Sequence, residues 1–178
     1  MKVIVNLVLF QTLWLCTVAG AGRGYWWAGL PVLAIFAAYQ LKVSAWPRAD
    51  ATLMLVCAVV GLIADTLLIQ MGLIRFAQPV PSPALAPAWI IVLWVGFSLT
   101  LNHSLAFLKD KAGLAIVFGL LGGPLAYAIA GKVWGAAVFQ APDVYVYGAL
   151  AVIWGAMTPL LLSLASRLVV RTALPAVS

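Results

Sequence analysis

The chain has 178 residues, of which 66% are hydrophobic and 8% charged, with a net charge of +6. A soluble globular domain carries roughly 25% charged residues, so this chain lacks the polar groups to cover a water-facing surface. Its mean hydropathy of +1.14 marks an integral membrane protein. The basic residues sit singly or in pairs between apolar runs, as topology determinants and phospholipid anchors do. No basic cluster interleaves with aromatics, which sets nucleic acid aside as a partner.

Lys2 precedes an apolar run over 3–20. The basic start and Ala19-Gly20-Ala21 resemble a secretory signal peptide, but Asn6 and Gln11 interrupt the run, which is predicted to be a retained first transmembrane helix. After a tight turn at Arg23-Gly24, the second span covers 25–41, with Trp26 and Trp27 at the interfacial belt. A loop Lys42–Asp50 leads to the third span, 51–73, which holds Asp65. Arg75 ends it, and Pro79, Pro81, Pro83 and Pro87 predict a stiff, extended connection.

The fourth span, 87–108, carries Asn102, the single histidine His103, and Ser104 inside an otherwise apolar run. Lys109-Asp110-Lys111 makes a charged turn before the fifth span, 113–130, where Gly122-Gly123-Pro124 predicts a helix break. The sixth span, 144–164, contains Thr158-Pro159; Arg167 and Arg171 end the last helix and leave a short apolar tail. One side of this arrangement collects Lys2, Lys42, Arg48, Lys109, Lys111, Arg167 and Arg171, and the other Arg23, Arg75 and Lys132. By the positive-inside rule both termini are cytoplasmic. The expected fold is an all-α transmembrane bundle of six helices, a single domain over 1–178, without an internal repeat.

Polar side chains in hydrocarbon need partners, so those inside the spans are the candidate site. Asp65 shares a helical face with Gly61 and Ile69, and Gly61 allows close approach of another helix. As a buried acid it reads either as a proton- or ligand-binding group or as a neutral packing device. Trp94, Ser98 and Asn102 recur at i, i+4, i+8 and form one polar-aromatic stripe. Asn102 suits interhelical hydrogen bonding, whereas His103 suits that role and proton transfer equally. At a rise of ~1.5 Å per residue, Asp65 and His103 differ in depth by roughly 12 Å, which argues against a direct dyad. The Gly122-Gly123-Pro124 segment reads as a cavity former or a plain kink, with Tyr127 placed to donate a hydrogen bond to whatever sits there.

One histidine, no glutamate, and Cys16 and Cys57 in separate apolar runs supply neither a three-ligand zinc site nor a bis-histidine haem. No metal and no cofactor are expected. The sequence lacks a phosphate-binding loop, a nucleophile elbow and a dinucleotide fingerprint.

Several phrases, taken together and in order, resemble a known family: NLVLFQ at 6–11, GLIADTLL at 61–68, PAWIIVLW at 87–94, LNHSL at 101–105 and GGPLAY at 122–127. It is a family of small bacterial inner-membrane proteins catalogued as a domain of unknown function, and the likeness covers nearly the whole chain. The resemblance implies a multi-pass protein of the bacterial inner membrane without an assigned reaction, and its association with fatty-acid-modifying genes points to lipid chemistry. The first expectation is therefore lipid or fatty-acid handling in a cavity lined by Trp94, Ser98, Asn102, His103 and Tyr127, with Asp65 exchanging a proton and membrane lipid as the partner. The second is a non-catalytic accessory subunit, packed against a membrane protein partner or a second copy of itself. A small-solute transporter ranks third, since no repeat is visible.

Overall fold

Proline and glycine set most of the helix limits in the computed structural model, which describes residues 1–173; the apolar tail from 174 on lies outside the described residues. Six α-helices are present among them: α1 (Lys2–Gly22), α2 (Gly29–Val43), α3 (Pro47–Gln70), α4 (Ala88–Leu101), α5 (Ala112–Lys132) and α6 (Asp143–Ala173). Two short strands, β1 (Ile74–Phe76) and β2 (Ala137–Phe139), pair antiparallel with Arg75 opposite Val138. The bundle is all-α apart from this ribbon. Four helices, Lys2–Gly22, Pro47–Gln70, Ala112–Lys132 and Asp143–Thr172, are long and apolar enough to cross a membrane.

Three local features differ from the sequence reading. Pro47 occupies the first helical position of α3, where its missing N–H costs nothing. The helix thus begins before 51 and carries Asp50 in its first turn rather than in a loop. The fourth element is also shorter than 87–108. α4 ends at Leu101, and the chain continues through turns into a 3-10 segment, Ala106–Leu108. Fourteen helical residues span only about 21 Å, less than a bilayer core of about 30 Å. Finally, the expected break at Gly122, Gly123 and Pro124 is absent, because α5 runs from Ala112 to Lys132 through Pro124. The proline removes one backbone hydrogen bond without ending the helix.

The short α4 is tolerated because it lies inside the bundle. Ten of its 14 residues are buried, and it packs against α1, α2, α3 and α6. A helix apolar on every side is one surrounded on every side. α1 and α2 run antiparallel: Lys2 donates to the carbonyl of Val43 (3.1 Å), joining the start of α1 to the end of α2. The β1–β2 ribbon closes the opposite end of the bundle. It carries Phe76 onto Trp89 (centroids 5.6 Å apart, 86°) and Tyr127 (6.3 Å). The proline-rich connection is tied down by Gln70, which donates to the Ala84 carbonyl (2.7 Å), and by Thr66, whose hydroxyl accepts from the Ala86 N–H (3.0 Å).

At the centre, the indoles of Trp94 and Trp154 stack with centroids 4.6 Å apart and planes 14° from parallel. Each outer face rests on a glycine. A Cβ on Gly61 of α3 would collide with the Trp94 ring, and one on Gly123 of α5 would collide with the Trp154 ring. Gly122 faces open space, with only the edge of Phe118 within 4.0 Å. Gly61→Ala and Gly123→Ala should therefore each cost about 1–3 kcal/mol of overpacking, read as a lowered midpoint in thermal unfolding of the detergent-solubilised protein. Gly122→Ala should leave that midpoint unchanged or raise it.

Candidate functional site

Asp65 and Gly61 lie four residues apart on α3 and so share a face. Gly61 accepts the flat of Trp94, and Asp65 accepts its N–H: Trp94 Nε1 donates to Asp65 Oδ2 at 2.7 Å. The same spacing recurs on α5. Gly123 accepts the ring of Trp154, and Tyr127, four residues on, donates its hydroxyl to Asp65 Oδ1 at 2.5 Å. Asp65 is wholly buried, and each carboxyl oxygen has a donor. That satisfaction allows a polar group to persist at such depth.

A cavity of about 330 Å³ lies against this cluster, at the small end of ligand pockets, which run roughly 300–1,000 Å³. Its walls come from α1 (Phe10, Trp14), α4 (Trp94, Phe97), α5 (Gly119, Gly122, Gly123, Tyr127) and α6 (Trp154, Thr158), with Ser104 contributed by the turn after α4. Leu7 of α1 with Phe118 and Leu125 of α5 line it and are exposed on the outside of the bundle. The cavity thus opens sideways between α1 and α5, which touch each other only sparingly. Asp65 does not line it; the carboxyl sits behind Trp94 and Tyr127.

Asn102 and His103 belong to a second polar cluster at the other end of α4. Asn102 Nδ2 donates to Asp50 Oδ1 (2.7 Å), and His103 Nε2 lies 2.9 Å from Asp50 Oδ2. Lys109 donates to Asn102 Oδ1 at 2.6 Å. Half-buried, it is held below the usual lysine pKa by desolvation, against the opposing pull of Asp50 and Asp110. Asn6 completes the cluster, donating to Gln40 Oε1 (2.8 Å) and the Leu99 carbonyl (2.9 Å) while accepting from the Ser104 N–H (3.3 Å). A smaller polar cavity of about 220 Å³ adjoins it, lined in part by Lys2, Gln40, Ser44, Trp46, Asn102 and His103.

The candidate residues therefore divide. Trp94 and Tyr127 line the larger cavity, Asp65 holds them from behind, and Asn102 and His103 lie at the smaller one. Ser98 lines neither; its hydroxyl donates to the Val95 carbonyl of its own helix at 2.6 Å. The Trp94–Ser98–Asn102 stripe does not continue because α4 ends at Leu101, which re-aims Asn102 towards α3. Four contributors went unrecognised in the sequence. Asp50 was signalled by Pro47 at a helix start and Thr158 only by its place before Pro159, whereas Gln40 and Trp154 carry no local pattern to set them apart. Among the described residues no group of three histidine, cysteine, aspartate or glutamate side chains converges to hold a metal.

The chain belongs to the family described as Protein of unknown function (DUF2878), whose profile matches residues 3–160. No curated protein and no solved structure matches it.

Removing a partner from a buried polar group costs about 1–3 kcal/mol. Asp65→Ala strands both the Trp94 N–H and the Tyr127 hydroxyl and should lower the unfolding midpoint, with Trp fluorescence reporting a looser indole pair. Asp65→Asn keeps a polar group of the same shape and should retain most of the stability. At the other cluster, a double-mutant cycle on Asp50→Ala and His103→Ala should give a coupling of about 0.5–3 kcal/mol, the range for residues in direct contact.

Proposed function

We propose that this family member is a multi-pass protein of a bacterial inner membrane, with both termini cytoplasmic, that handles lipid or fatty-acid chains in its larger intramembrane cavity. One observation carries the reading: the cavity opens through an apolar, exposed rim between α1 and α5, where a membrane-embedded protein meets acyl chains rather than water. A ligand could enter from the bilayer without crossing an aqueous phase. The walls facing it are largely aromatic and aliphatic, and Trp94 and Tyr127 are fixed in place by Asp65. Asp65 acts in this reading as a positioning residue, since it holds the wall and does not face the ligand.

The polar network at Asp50 has a different task. It joins α1, α2, α3 and the end of α4 through Asn6, Gln40, Asp50, Asn102 and His103, fixing the floor on which the cavity stands. The reading needs membrane lipid as a partner.

Native mass spectrometry of the mildly solubilised protein, with lipid extraction from the same preparation, tests this. The expected result is a bound, chemically distinctive lipid or fatty acid that is lost in Gly122→Leu, which fills open space on the cavity wall. A protein partner in fixed stoichiometry, with only bulk phospholipid bound in both forms, would replace the cavity reading with an accessory-subunit role.

A further inference from the structure

Hydroxyls on the helices of this protein mostly satisfy themselves on their own turn. Thr12, Thr52, Ser98, Thr100, Ser166 and Thr172 each donate to a carbonyl three or four residues back. Two buried hydroxyls without a hydrogen-bond partner, Ser104 Oγ in the turn after α4 and Thr158 Oγ1 on α6, belong to residues that line the larger cavity. Thr158 is 1% exposed and Ser104 9%. A third unpartnered hydroxyl, Thr17, lies against Gly29 and away from the cavity.

An unmet buried hydroxyl costs free energy comparable to a lost hydrogen bond, and a water would need two to four polar partners to settle beside one. Little else in the cavity could hold one. Trp94 and Tyr127 are engaged by Asp65, Thr100 by its own helix, and Gln11 sits at the exposed margin. Among the described residues no lysine, arginine, histidine or acidic side chain lines the space, so a charged group would be buried there without a counter-ion, at high cost.

Resting on the cavity reading, we propose that the occupant is an uncharged single-chain amphiphile, a long-chain alcohol or carbonyl compound, whose polar end hydrogen-bonds Ser104 and Thr158. A volume of about 330 Å³ suits one chain and excludes a two-chain phospholipid held entire. The hydroxyls can donate to a carbonyl or both donate to and accept from an alcohol. The stacked Trp94–Trp154 pair and Phe97 flank the chain.

Quenching of tryptophan fluorescence by brominated chains tests it, since Trp14, Trp94 and Trp154 line the cavity. The probes are 9,10-dibromostearyl alcohol, 9,10-dibromostearic acid at alkaline pH and 9,10-dibromo-octadecane. The alcohol should bind more tightly than the hydrocarbon, and more tightly than the ionised acid. Ser104→Ala and Thr158→Val should each weaken the alcohol about 5-fold, the worth of one neutral hydrogen bond, and leave the hydrocarbon nearly unchanged. Thr158→Ser, which restores the hydroxyl, should recover the alcohol's affinity and guards against a folding defect. Equal binding of alcohol and hydrocarbon, equal loss of both in the variants, or tightest binding of the ionised acid would overturn the assignment of the polar end while leaving a chain-binding cavity in place. No quenching by any probe would overturn the cavity reading as well.

Discussion

A single carboxyl group, Asp65, sets the arrangement of the bundle's interior. In a low-dielectric surrounding it must have a donor on each oxygen or become a liability, and its two donors come from different helices, Trp94 on α4 and Tyr127 on α5. The two contacts join three helices at one depth. They also fix the rotation of each helix, because the partners are paired with glycines four residues away. Gly61 with Asp65, and Gly123 with Tyr127, form two matching faces that close on the stacked indoles of Trp94 and Trp154. Apolar contact alone, which in lipid carries no hydrophobic drive between helices, would leave those rotations loosely defined.

The second polar network works at the other end of the same buried helix. Asp50 and Asp65 are 15 positions apart on α3, or about 22 Å at the helical rise, and each anchors one part of α4: Trp94 in its body and Asn102 just past its end. A helix too short to cross a bilayer alone is thus suspended between two carboxylates on a helix long enough to do so. The larger cavity lies beside this suspended helix, and its shape depends on both anchors. Asp65 holds the aromatic wall, while the Asn6 contact to the Ser104 backbone holds the turn that brings the Ser104 side chain to the cavity.

This economy explains how a chain with so few charges maintains an internal space. The wall is made of large rings that touch edge to face or flat, Phe97 against Trp154 at 86° and Trp94 against Trp154 at 14°, and such rings do not collapse into a void as aliphatic side chains would. The opening between α1 and α5 is left by helices that share few contacts. The opening presents apolar side chains at its rim, and the two residues with unpartnered hydroxyls, Ser104 and Thr158, lie among those that line the space.

Composition and hydropathy pointed to the class of this protein: 8% charged residues are too few for an ordinary water-facing surface, and the apolar runs matched the six helices of an all-α bundle. Asp65, Trp94, Tyr127 and His103 were legible as site candidates because polar and amphipathic groups stand out in apolar runs. Which of them meet was decided only by tertiary structure. Helical rise separates Asp65 from His103, but nothing local says that Tyr127 of α5 reaches Asp65 of α3, or that His103 pairs with Asp50 across 53 positions. The end of α4 at Leu101 was equally hidden, since an apolar run reads as helix until a competing partner takes the polar groups that follow. Trp154 carried no sequence signal, and Thr158 stood out only as the residue before Pro159. Their roles arise from facing a glycine and a cavity, and both are properties of packed helices rather than of a chain.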